Sequence, residues 1–191
     1  MAGIGSRFVR GTSALVAAVS LAALMSGSAL AGTVKVAFGD IASVEQLNLL
    51  IAFERAKERG VDVQTTFFKS EDLAAQAVVG KQADVGIGTP YALLQKVKAP
   101  IRLFYQISNL RFYPVVNTEF YKDWKDLDGQ EFAVHSRGSG TEAIMNLMAQ
   151  KHGIKFSRLS YVPGAEVRAG ALLQGNVKAT IIDSSALRLV K

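Results

Sequence analysis

The chain has 191 residues, with 22 Lys and Arg against 16 Asp and Glu, two His and no Cys. The missing cysteine excludes disulfides, thiolate catalysis, Cys-based metal sites and an acylated-cysteine anchor, and His135 and His152 have no close carboxylate cluster in the sequence, so neither metal nor cofactor is expected. No run of Lys and Arg interleaves with aromatics, so nucleic acid is not an expected partner.

Residues 1–31 have the three parts of a cleaved secretory signal peptide. Arg7 and Arg10 form the basic start, Ala14 to Met25 the apolar centre, and Ala29-Leu30-Ala31 a small-residue cleavage site. Its apolar centre is short for a membrane anchor. Cleavage leaves 160 residues carrying +4, enough chain for one domain or two small lobes.

The first strand is expected at Val34 to Phe38, followed by the turn Gly39-Asp40-Ile41-Ala42. Ser43-Val44-Glu45-Gln46 fits a capping box, and Val44, Leu47, Leu50 and Ile51 give the next helix an apolar face ended by Gly60. Val61 to Phe67 reads as a second strand. Ser70-Glu71-Asp72 caps a helix from Leu73 to Val79, Gly80 stops it, and Ala83 to Gly88 is a third strand. Thr89-Pro90-Tyr91 opens another helix. Ile101 to Ser108 and Tyr113 to Asn117 read as strands between two lobes, with a hinge near Val115 to Asn117.

The same order recurs after residue 130. A strand at Phe132 to His135 precedes Ser136-Arg137-Gly138-Ser139-Gly140-Thr141-Glu142, then a helix ended by Gly153. A strand near Leu159 to Val162, a helix from Glu166 to Leu173 stopped near Gly175, and a strand at Ala179 to Asp183 follow. Gly60 and Gly153 lie 93 residues apart, Gly80 and Gly175 95, and Gly88 and Asp183 95. The sequence therefore predicts an α/β fold of two similar βαβαβ lobes with mainly parallel sheets around a central cleft. Lobe 1 is placed at residues 32–115 and lobe 2 at 116–191.

In mainly parallel sheets ligands bind beyond the carboxyl ends of the strands. That rule selects Gly39 to Ser43, Gly88 to Tyr91, Ser136 to Thr141, and Asp183-Ser184-Ser185. The Ser136 stretch has two readings. Its glycines, hydroxyls and free helix-start amides suit an anion or polar acceptor, while Ser139 and Glu142 also fit a capping box that satisfies those amides internally.

Four motifs carry a family resemblance. Gly80-Lys81-Gln82-Ala83-Asp84-Val85-Gly86-Ile87-Gly88, Asp126-Leu127-Asp128-Gly129-Gln130-Glu131-Phe132-Ala133-Val134, Ser136 to Glu142, and Leu173-Gln174-Gly175-Asn176-Val177-Lys178-Ala179 stand in the right order. Together they resemble the periplasmic solute-binding proteins of ABC importers of the nitrate/sulfonate/taurine and thiamine-pyrimidine-precursor type, over nearly the whole mature chain. Gly138-Ser139-Gly140-Thr141-Glu142 is also similar to a motif in the solute receptors of one class of TRAP transporters. The resemblance implies a type II two-lobe fold in the periplasm and a small solute, anionic or polar, held between the lobes. It also implies a membrane permease of an ABC importer, or a TRAP transporter, as partner. Relatives continue past the equivalent of Lys191 to complete the first lobe, so the resemblance implies that this return segment is absent here. A non-binding remnant is thus one alternative, and an enzyme on the same fold another.

The implied ligand contacts are Ser136, Gly138, Ser139, Gly140 and Thr141, as donors to a sulfonate- or carboxylate-like head. Thr89 is a cap or a donor, and Tyr91 a pocket wall or a surface aromatic. Asp40 and Asp183 either accept from a ligand amine or cap their own turns, and Ser184 belongs to the last turn. Arg137 either pairs with the anion or stays solvated. His135, at a strand end facing the cleft, is a polar wall of the ligand site or a packing residue; with no positioned nucleophile or acid beside it no catalytic residue is expected.

Overall fold

The computed structural model describes residues 32–89, 91–95 and 98–191. The expected signal peptide over residues 1–31 and Pro90 lie outside the described residues. Two sheets organise the rest. β1 (Val34–Phe38), β2 (Val63–Phe67) and β3 (Val85–Ile87) form a parallel sheet in the order β2-β1-β3. β4 (Phe112–Val116), β5 (Glu131–Val134), β6 (Arg158–Tyr161) and β7 (Ala179–Asp183) form the second, in the order β4-β7-β5-β6. β5 is parallel to β6 and β7, whereas β4 runs antiparallel to β7.

Helices fill the crossovers: α1 (Leu47–Glu58), α2 (Glu71–Val79), α3 (Tyr91–Gln95), α4 (Gly140–His152) and α5 (Ala165–Leu173). The Ser43 capping box forms, on a short 3-10 turn that runs into α1. Gly153 ends α4 in the left-handed conformation at φ 65°, where glycine carries no Cβ penalty.

The second lobe holds the larger core. Phe132, Val134, Met145 and Ile181 are fully buried with Leu127 and Tyr121 around them, and each such side chain contributes roughly 1.5–3 kcal/mol on burial. In the first lobe the buried cluster is mostly alanine: Ala37, Ala74, Ala77 and Ala83. Small residues let α2 sit close to β1 and β3. On the other face Phe38 stacks on its register partner Phe67 at 4.7 Å and meets Phe53 of α1 edge-on at 6.2 Å.

Two expectations are corrected. Ile101 to Ser108 forms no strand; Leu103, Phe104 and Tyr105 are each over 70% exposed. The segment has the right β-prone residues but pairs with no strand among the described residues, and an unpaired strand is not stable by itself. The apolar face assigned to α1 is also not buried: Leu47 and Ile51 remain about half exposed, and Phe53 makes the aromatic contact with β1 instead. β4 spans residues 115 and 116 and belongs wholly to the second sheet through its five pairs with β7.

Candidate functional site

The carboxyl ends of the central strands of both sheets meet. Gly39, just after β1, accepts a hydrogen bond on its carbonyl from His135 Nε2, just after β5, at 3.0 Å. Ile41 packs where a Cβ on Gly164 would stand 2.8 Å from its Cδ1, and a Cβ on Gly140 would lie 2.8 Å from Thr89 Oγ1. On the opposite flank Ser185 Oγ, after β7, donates to Glu45 Oε1 at 3.1 Å. All four turns chosen from the sequence therefore lie along one seam between the lobes.

What their side chains do there is less uniform. Ser139 is 1% exposed, and its hydroxyl caps α4 by accepting from the Glu142 amide at 3.3 Å. It also accepts from the Ser136 amide at 3.4 Å and bonds Thr141 Oγ1 at 3.0 Å, while Thr141 Oγ1 accepts from the His135 amide at 3.0 Å. Both hydroxyls thus hold the loop in shape from inside. The capping is not reciprocal: Glu142 Oε2 accepts from the Gly138 amide at 2.6 Å, and Oε1 from the Tyr161 hydroxyl at 2.7 Å. Ser136 is buried and its hydroxyl has no hydrogen-bond partner among the described residues. Gly138, at φ 76°, has no room for a side chain because the Asp72 carboxylate fills the space.

Asp40 Oδ1 accepts from the Ile41 amide at 2.7 Å and lies 3.8 Å from His135 Nδ1. Asp183 is buried and accepts from the Ser185 amide at 2.7 Å, the Ser185 hydroxyl at 2.6 Å and the Ala186 amide at 3.0 Å. Ser184 is exposed, and Arg137 lies over the Tyr161 ring at 5.6 Å. Tyr91, Gly138, Ser139, Glu142, Asn146 and Gln150 line a shallow groove of about 200 Å³ along α4.

Sequence reasoning singled out Asp40 and Asp183 but missed the carboxylates of Glu71, Asp72 and Glu45. Glu71, at the start of α2, reaches the seam and accepts from Thr89 Oγ1 at 2.8 Å and from the Gly140 amide at 3.4 Å. Burial pushes its carboxyl up, partly offset by His135 and by those donors. Burial and the nearby Glu142 likewise raise Asp72. Glu45 is pushed up to about 8, first by burial and then by Asp183. Burial opposes ionisation of Asp183, but hydrogen bonds from Glu45, Ser185 and two amides hold it below the ordinary range. Arg168, also buried, donates from Nε to the Ile181 carbonyl at 2.9 Å and from Nη1 to the Val162 carbonyl at 2.7 Å. Burial lowers its pKa, against the pull of Asp40, Asp183, Glu45 and Glu166. The strand-end rule contained the signal: applied to the turn after β2 as well, it points to Ser70-Glu71-Asp72, which reads locally as a helix cap.

No group of three or more His, Asp or Glu among the described residues is placed to hold a metal ion. Nor is any helix among them long and apolar enough to cross a membrane.

Residues 56–190 match the model of the NMT1/THI5-like family. No curated protein matches the chain. Among solved structures, one from Bordetella bronchiseptica RB50 is 28% identical with a TM-score of 0.63, over 83% of this chain and 53% of that one. An alkanesulfonate-binding protein of Xanthomonas axonopodis pv. citri, bound to MOPS, is 19% identical with a TM-score of 0.58, over 82% of this chain and 57% of that one. An ancestral arginine-binding protein bound to arginine is 18% identical with a TM-score of 0.58, over 83% and 73%. At those last two identities the likeness is one of fold: two lobes of the type II periplasmic binding kind. The chain spans about half the length of the Bordetella protein.

Proposed function

The chain belongs to the NMT1/THI5-like family, and from that premise we propose that it is an extracytoplasmic solute-binding protein. It captures a small polar or anionic organic solute between its two lobes and delivers it to the membrane permease of an ABC-type importer. The periplasm is its proposed location.

One observation supports this reading above the others. The amide of Gly140, the first residue of the 13-residue helix α4, faces the other lobe and is met there by a carboxylate, that of Glu71. A helix start with unpaired amides and a positive dipole end is a favourable place for an acceptor group. A carboxylate or sulfonate of the solute takes the Gly140 amide and the Thr89 hydroxyl, one donor from each lobe. Because such a ligand gains both contacts only when the lobes are together, its differential affinity favours the closed form. Ser139 and Thr141 contribute by holding the loop rather than by touching the solute, and Tyr91 and Asn146 line the adjoining groove.

A thermal-shift screen of the purified protein against sulfonates, nitrate, small carboxylates, amino acids and pyrimidines tests the proposal. A ligand present at 100 times its dissociation constant adds about 2.7 kcal/mol to the folded state. The expected result is a saturable rise in melting temperature with one chemical class. A cooperative melt that no class shifts counts against it.

A further inference from the structure

Glu71 occupies an unusual place for a residue that opens a helix. Its stem lies against two glycines that end neighbouring strands: a Cβ on Gly39 would come within 2.8 Å of Glu71 Cα and 3.0 Å of Cγ, and a Cβ on Gly88 within 3.3 Å of Cγ. Both positions thus give room to this one side chain. An acid in the first turn gains from its own helix dipole while remaining in solvent. Glu71 turns inward instead, takes the Thr89 hydroxyl with both oxygens at 2.8 and 2.9 Å, and reaches the first amide of a different helix in the other lobe. Two turns that the strand-end rule selects, after β3 and β5, meet its carboxylate through Thr89 and Gly140, and a third, after β1, packs Gly39 against its stem.

We propose that Glu71 is a built-in occupant of the solute's anchor point, latching the first lobe to the amino end of α4 in solute-free protein until a solute's acceptor group takes its place. This rests on the reading of the Gly140 amide as that anchor, but the latch itself can be tested without any solute. A free form held shut in this way binds only solutes whose acceptor outcompetes a tethered carboxylate, which makes Glu71 a determinant of selectivity as well as of shape.

The test compares the full chain with its Glu71→Asp and Glu71→Gln variants, with no compound added, by hydrogen–deuterium exchange and small-angle scattering. Aspartate keeps the carboxyl group and the helix-start acid but is one methylene too short to bridge; glutamine keeps the reach and an acceptor oxygen. In Glu71→Asp the Gly140 amide should exchange about tenfold faster, as befits loss of its hydrogen bond, and the radius of gyration should rise. Glu71→Gln should lie nearer wild type on both. Thr89→Val removes the hydroxyl that aims the carboxylate and supplies a second variant should Glu71→Asp fail to melt cooperatively; it should move both readouts the same way. Unchanged exchange at Gly140 in the folded variants, or faster exchange without any rise in radius, would overturn the latch. A working latch together with no stabilising compound would instead count against the solute-binding reading alone.

Discussion

His135 Nε2 donates to the carbonyl oxygen of Gly39 at 3.0 Å, joining residues 96 positions apart across the seam between the two sheets. A carbonyl can only accept, so the ring hydrogen sits on Nε2. Both partners are buried, and a buried acceptor left unpaired costs roughly 1–3 kcal/mol. His135→Leu should therefore lose about that much stability in urea denaturation. His135→Gln, which can still present a donor, should lose less, and equal losses would show that packing rather than the hydrogen bond matters here.

The Glu45 and Asp183 pair predicts a pH dependence of definite sign. Glu45 in the folded protein is pushed up to about 8 from an ordinary 4.5, so between those values the folded state holds a proton that the unfolded chain has released. Stability should fall as pH rises through that window and level off above it. Asp183 is shifted the other way, below its ordinary 3.8, so its contribution is present above that value and is lost only on acidification through its lower folded value. Denaturation midpoints taken across about pH 5 to about pH 8 should decline for wild type and decline less for Glu45→Gln. Parallel lines for the two proteins would refute the assignment.

Arg168 is a buried clamp between β7 and the loop after β6, serving two carbonyls from one guanidinium. A lysine has no planar fork with which to reach both. Arg168→Met should cost roughly 2–4 kcal/mol through two unpaired acceptors, and Arg168→Lys should recover only part of it. Thermal melts of the three proteins decide this, with full recovery by lysine as the contrary result.

Ser139 caps α4 from inside the loop, accepting from the Glu142 amide. Ser139→Ala should cost about 0.5–2 kcal/mol, the usual loss on removing a serine cap. Urea denaturation should show a shifted midpoint with an unchanged slope; no shift would mean that the Glu142 bond to Gly138 suffices to hold the helix start.

Much of this architecture is written in local signals. The Ser43 capping box, the glycine stop at Gly153 and the alternation of strands with helices each depend on a few adjacent residues, and they place the seam correctly at the strand ends. The parts that could not be read depend on distant partners. Nothing local shows that Ile101 to Ser108 lacks an edge to pair with, or that Phe53 rather than Leu47 and Ile51 turns toward β1. Ser139 and Thr141 carry the right chemistry for a ligand but spend it on their own loop. Glu71 reads as an ordinary first-turn acid, and only the three-dimensional meeting of Gly39, Gly88 and Gly140 shows where its carboxylate goes.

The most direct test of the account is a calorimetric titration of the compound that stabilises the wild-type protein into wild type and Gly140→Val. A side chain at residue 140 begins 2.8 Å from Thr89 Oγ1, so it keeps the lobes from closing over the α4 amide while leaving the second core untouched. The account predicts saturable binding to wild type and at least about a tenfold weaker affinity in a Gly140→Val protein that still melts cooperatively. Equal affinity in the two would place the solute elsewhere and contradict the central claim.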